Sequence, residues 1–148
     1  MAGKAGLKAG LIGIVVMVVL TLINRLTGVS GALVYVMCGV SMLAYVAVGV
    51  LAGVLVVAPR TAGKAAGAGA IAGLLSGLVS GVIGIAIMAI SVSRGQGIPG
   101  LDAQQMELLA ETGLDPTLLA IPGAVCSLGI GSGAAAVGGA IFGALRPD

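Results

Sequence analysis

Four long apolar runs, each closed by charged or helix-breaking residues, make up most of this chain. The first covers residues 5–27 and is crossed only by Lys8, Asn24 and Arg25. The second covers 30–58 and is ended by Pro59. The third, 65–93, carries no charge, and the fourth, 116–145, is stopped by Arg146 and Pro147. A stretch of 18 or more apolar residues reads as a membrane-crossing helix. In the first run, the Lys8 ammonium stays wet if its long side chain snorkels to the interface.

Within the third run Gly69, Gly73, Gly77 and Gly81 stand four residues apart. In a soluble helix each would cost about 1 kcal/mol relative to alanine. In a membrane the same spacing clears a groove along one helix face, where a second helix can approach closely. The fourth run repeats the spacing with Ser127, Gly131, Ala135, Gly139 and Gly143. Shorter pairs occur in the first run (Gly6 with Gly10, Ala9 with Gly13) and in the second (Gly49 with Gly53). The expected fold is all-α: an integral membrane four-helix bundle with glycine-ladder packing, its third span central.

A short helix at 102–112 is expected before the fourth span. Asp102 and Gln105 have capping-box spacing, Leu101 and Met106 the positions of a hydrophobic staple, and Gly113 the place of a C-terminal stop. Met106, Leu109 and Ala110 would form one apolar side, with Glu107 and Glu111 turned away. Such a helix should lie on the outer membrane surface or cap the bundle. Asp115 followed by Pro116 then opens the fourth span as cap and first turn. A secretory leader also starts basic and then turns apolar, but Asn24 and Arg25 interrupt the approach to the small residues Gly28 and Ser30. A retained first helix is expected.

Composition agrees with a lipid environment. The chain is 59% hydrophobic and 8% charged, against roughly 25% charged in a typical soluble domain. Its 148 residues form one transmembrane domain, 1–148. A net charge of +2 is too small and scattered to indicate nucleic-acid binding. With four spans, Lys4, Lys8, Arg60, Lys64 and Arg146 fall on one side and only Arg25 and Arg94 on the other. That bias places both termini in the cytoplasm, and Asp102, Glu107, Glu111 and Asp115 in one outward-facing loop.

The chemistry available is narrow. The absence of histidine removes the commonest proton shuttle, metal ligand and haem ligand. No nucleophile has a base beside it, since the serines of the spans lie in lipid. Neither catalysis, a cofactor nor a metal is expected. Ser41, Tyr45, Ser76, Ser80, Ser127 and Ser132 are the polar residues singled out deep within the spans, and away from the span ends no acid, lysine or arginine accompanies them. Ion-coupled transport usually needs such a group. The Tyr45 hydroxyl needs a partner, which Ser76 or Ser80 can supply; interhelical hydrogen bonds are the expected use of this cluster, and lining a narrow pore is the alternative.

Cys38 and Cys126 read as small buried hydrophobes. Each lies about two helical turns in from the same side, so they could be neighbours, but they fit no metal spacing. Glu107 and Glu111 read as a solvated face, because hard cations want six or more oxygens. Similar openings of the first and third spans (Gly3 to Gly6, Gly63 to Gly67) and paired glycines ending the second and fourth (Gly49 and Gly53, Gly139 and Gly143) suggest two copies of a hairpin about an axis along the membrane normal.

The KAGLIG run at 8–13, the glycine ladder of the third span and the helix ahead of the fourth give the chain an order of elements. That order resembles the small four-span bacterial membrane proteins grouped as domains of unknown function. The resemblance covers most of the chain, implies a prokaryotic cytoplasmic membrane and implies no activity. The expected role is a non-catalytic packing or accessory subunit, embedded in the bilayer with other membrane subunits or further copies of itself. The alternative is a small homo-oligomeric channel or transporter for a neutral or weakly charged solute.

Overall fold

The computed structural model describes residues 2–27, 32–58, 61–95, 103–113 and 116–146. It contains helices α1 (Ala2–Thr27), α2 (Ala32–Val54), α3 (Ala62–Ser93), α4 (Ala103–Thr112) and α5 (Pro116–Leu145). All but α4 are long and apolar enough to cross a membrane.

Local chemistry sets several ends. Thr61, extended at φ −125°, caps α3: its hydroxyl accepts the Lys64 N–H at 3.3 Å and its carbonyl accepts the Ala65 N–H at 3.0 Å. The other end of α3 closes on Gly95, whose φ of +66° suits glycine and whose N–H donates to the Val92 carbonyl. Gly113 follows α4 with φ +64°. The capping box of Asp102 and Gln105, the staple of Leu101 and Met106, the apolar side chains of Leu109 and Ala110, and the Asp115 cap lie outside the described residues.

The second span stops short of its expected limit. Helix α2 ends at Val54, not at 58 ahead of Pro59. Leu55 and Val56 still donate back, to Leu51 and Gly53, with the second bond spanning only three residues. That tightening carries Val56 inward, where it is 3% exposed and joins the core.

Small residues fill the interior and large ones cover the outside. The buried set is dominated by alanines: Ala5, Ala9, Ala52, Ala65, Ala68, Ala72 and Ala135. Leu7, Leu11, Leu74, Leu78, Val82, Ile130, Val137 and Ile141 all point outward. In water this arrangement would be unfavourable. In lipid no hydrophobic force drives leucine inward, and helices gain by close backbone approach instead.

The glycine contacts fix the directions of the helices. Gly6, Gly10 and Gly13 of α1 sit opposite Ala68, Ala72 and Ser76 of α3, so α1 and α3 run parallel. Gly49 and Gly53 of α2 face Ala135 and Gly139 of α5, again in parallel. Gly69 and Gly73 of α3 meet Ala135 and Gly131 of α5, while Gly139 meets Ala65; this pair is antiparallel. Helix α3 packs against α1, α2 and α5, with its most extensive contact to α5. The starts of α1 and α3 therefore share one end of the bundle with the finish of α2 and α5.

The hairpin duplication is not a two-fold arrangement. A two-fold relating α1–α2 to α3–α5 would match every α2–α3 contact with an α1–α5 contact. Helices α2 and α3 do pack together, whereas α1 and α5 form no comparable pair among the described residues.

Candidate functional site

Where α1, α2, α3 and α5 converge, bare backbone and three polar side chains come together. The ring of Tyr45 from α2 rests against Gly131 of α5: a Cβ on that glycine would lie 2.7 Å from Tyr45 Cζ and 2.8 Å from Cε1. Gly77 of α3 is near the other end of the side chain, its virtual Cβ 3.7 Å from the Tyr45 Oη. Only glycine at 131 leaves room for the ring.

The tyrosine hydroxyl hydrogen-bonds with Ser80. Ser80 donates its one proton to the Ser76 carbonyl at 2.8 Å, so Tyr45 is the donor and the Ser80 Oγ accepts. Ser76 in turn donates to the Ala72 carbonyl at 2.8 Å. Its Oγ also approaches the Gly10 carbonyl at 3.5 Å, long for a hydrogen bond, and touches the place where a Gly13 side chain would stand. A polar thread thus runs from α2 to α3 and up to the backbone of α1. Ser76 is fully buried and Tyr45 is 6% exposed. Among the described residues no buried side-chain polar atom lacks a partner. Ser41 and Ser132 hydrogen-bond within their own helices, to the Met37 and Gly129 carbonyls.

The glycines singled out by spacing occupy unequal places. A Cβ on Gly69 would strike the Ala135 carbonyl oxygen, and one on Gly73 would lie 2.7 Å from the Gly131 oxygen and 2.8 Å from Ser132 Cα. Gly77 is looser, at 3.3 Å from Leu128 Cδ2. Gly81 continues the row in α3, half-buried. On α5, a Cβ on Gly139 would strike the Ala65 carbonyl and one on Gly143 would lie 2.8 Å from Ala65 Cβ. The Ala135 carbonyl is approached from two sides, by Gly49 of α2 and Gly69 of α3.

Gly138 was not among the expected packing positions, yet a side chain there would strike the Val46 carbonyl of α2. The signal was present in the adjacent pair Gly138 and Gly139, because successive helical residues point about 100° apart and clear two faces at once. One expectation fails outright. Cys38 and Cys126 are not buried; both thiols are free and exposed on the outer surface. Both lie on helix faces turned away from the bundle, beside the exposed Val36 and Val40 of α2 and Val125 of α5. Glu107 and Glu111 are exposed on α4, and among the described residues no three metal-binding side chains converge.

No protein-family model matches the chain, and neither a curated protein nor a solved structure does. The fold itself gives the class: an all-helical membrane protein with four candidate transmembrane helices in one bundle.

Proposed function

We propose that this protein is a non-catalytic packing subunit of a larger membrane assembly, built from other subunits or from further copies of itself. The observation that carries this reading is a glycine pair the bundle does not use. Gly129 and Gly133 stand one turn apart on α5, exposed, with nothing within 4 Å of a side chain built on either. Val125 and Val137 extend the same row outward. A small-residue groove flanked by aliphatic side chains is the surface on which membrane helices associate, and here it faces away from the bundle's own helices.

In this reading the inward glycines of α3 and α5 form a ladder that holds the monomer together. Helix α4 lies on the outer membrane surface, and both termini lie in the cytoplasm of a prokaryotic cell. The burial of Ser76 and Tyr45 against neighbouring helices favours packing over a water-filled path through the monomer.

The test is the mass of the detergent-extracted complex by native mass spectrometry, for the wild type and for the double substitution Gly129→Leu, Gly133→Leu. An assembly in the wild type that falls to monomer in the variant, with helical content unchanged, is the expected result. A monomeric wild type, or an assembly indifferent to both leucines, overturns the reading.

A further inference from the structure

We propose that the end of the bundle bearing the starts of α1 and α3 holds the headgroup of an anionic phospholipid. Two small clefts open there on either side of Val57, in the segment that follows α2. One, of about 200 Å³, is lined by Lys4, Ala5 and Lys8 of α1 together with Leu55 and Val57. The other, of about 170 Å³, is lined by Ala2, Val56, Val57, Ala58 and Lys64. Both are smaller than the roughly 300 Å³ from which sites for whole small-molecule ligands begin; they offer room for a phosphate and its glycerol.

The lysines are placed by the fold. Lys4 and Lys8 lie one turn apart on the same face of α1, and the parallel packing of α1 with α3 brings Lys64 to the same end. The early end of α2 creates the concavity, because the chain leaves the helix at Val54 and turns Val56 into the core. Among the described residues neither cleft has an acid in its lining. Four of the five acids in the sequence lie between 102 and 115, after α3 in the chain, and the fifth, Asp148, follows α5.

The apolar surroundings select a lipid over a free anion. Leu55 and Val57 form the cleft rim and are partly or fully exposed, and Leu7 and Leu11 continue an outward aliphatic strip along α1. A phosphate seated between the lysines would leave its acyl chains lying along that strip. Basic pockets between transmembrane helices at a membrane surface suit phospholipid headgroups. Two clefts sharing one wall suit a lipid with two phosphates better than one with a single phosphate.

The experiment reconstitutes the full chain in bilayers of phosphatidylcholine doped with phosphatidylglycerol or with cardiolipin, extracts it gently, and reads the retained lipids by native mass spectrometry. The wild type should be enriched in the anionic lipid, more strongly in cardiolipin. Each Lys→Gln change among Lys4, Lys8 and Lys64 should reduce the enrichment by roughly fivefold, from about 1 kcal/mol per basic residue. The corresponding triple Lys→Arg variant should retain it, as should Arg94→Gln at the opposite end of α3. Enrichment that survives the triple Lys→Gln change, or falls equally with Arg94→Gln, overturns the site. Displacement of the lipid by millimolar inorganic phosphate overturns the lipid as its ligand.

Discussion

Tyr45 of α2 occupies the space that a side chain on Gly131 of α5 would need, with its Cζ 2.7 Å from the virtual Cβ. Even Gly131→Ala must therefore push the ring away, and with it the hydroxyl that reaches Ser80. The alanine gains about 1 kcal/mol in helix propensity, whereas overpacking costs about 1–3 kcal/mol. A net loss of up to about 2 kcal/mol is expected, read as a lower thermal midpoint in detergent. Adding Tyr45→Leu should recover part of it by freeing the space. Tyr45→Phe alone removes only the hydrogen bond and should cost about 0.6 kcal/mol. If Tyr45→Leu recovered no stability in the Gly131→Ala background, the ring would not be held against α5.

The inward glycines should rank by what their missing side chains would meet. Gly69 faces the Ala135 carbonyl and Gly73 the Gly131 carbonyl, both backbone atoms that cannot rotate aside. Gly77 faces the Leu128 side chain at 3.3 Å, which can. Gly69→Ala and Gly73→Ala should each destabilise by up to about 2 kcal/mol once the gain in helix propensity is set against overpacking, and Gly77→Ala by clearly less. Gly67→Ala, on the open side of the same helix, should be neutral or mildly stabilising. Equal effects at 67, 69 and 77 in a thermal series would refute the packing order.

Much of this architecture could be read from the chain, because length and apolarity are local properties. The four spans needed only the runs between Lys8, Arg25, Arg60, Arg94 and Arg146. The choice of Ser80 over Ser76 as partner of Tyr45 depends on how α2 and α3 are rotated about their axes, which no repeat in either helix encodes. The end of α2 was misplaced for a related reason. Pro59 forbids helix at its own position and discourages it just before. It does not say that the chain will leave the helix earlier, with Val56 drawn into the same core cluster as Val48 and Ala52. The cysteines were misjudged by a rule for water, where a small apolar thiol goes inside. Here the direction each helix face points decides: the interior holds mostly alanine and glycine with a few larger side chains such as Tyr45, Val48 and Val56, and Cys38 and Cys126 stay out.

That placement gives a prediction for the thiols. Both should react with a lipid-soluble maleimide in the native protein, without denaturant, because both are free and exposed. Replacing both with serine should change stability by no more than about 0.5 kcal/mol per site, as for other surface positions. Protection of either thiol until the protein is unfolded would show that it is covered, by a neighbouring chain or by rearranged helices.

Topology can be tested with the same chemistry once Cys38 and Cys126 are replaced. The parallel run of α1 and α3 puts Gly3, Lys4, Gly63 and Lys64 at one end of the bundle, with Arg94 at the opposite end of α3. Basic residues collect on the cytoplasmic side of short loops, and the end with Lys4, Lys8, Lys64 and Arg146 is the basic one. A cysteine at Gly63, which has open space around it, reports on that end while leaving every lysine in place. A cysteine at Glu107, exposed on α4, reports on the loop between α3 and α5. In intact cells a membrane-impermeant maleimide should label Glu107→Cys and spare Gly63→Cys, which becomes reactive after lysis. Labelling of position 63 alone would invert the orientation. Labelling of both in sealed cells would mean that the two positions are not separated by the membrane, and the four-span arrangement would fall with it.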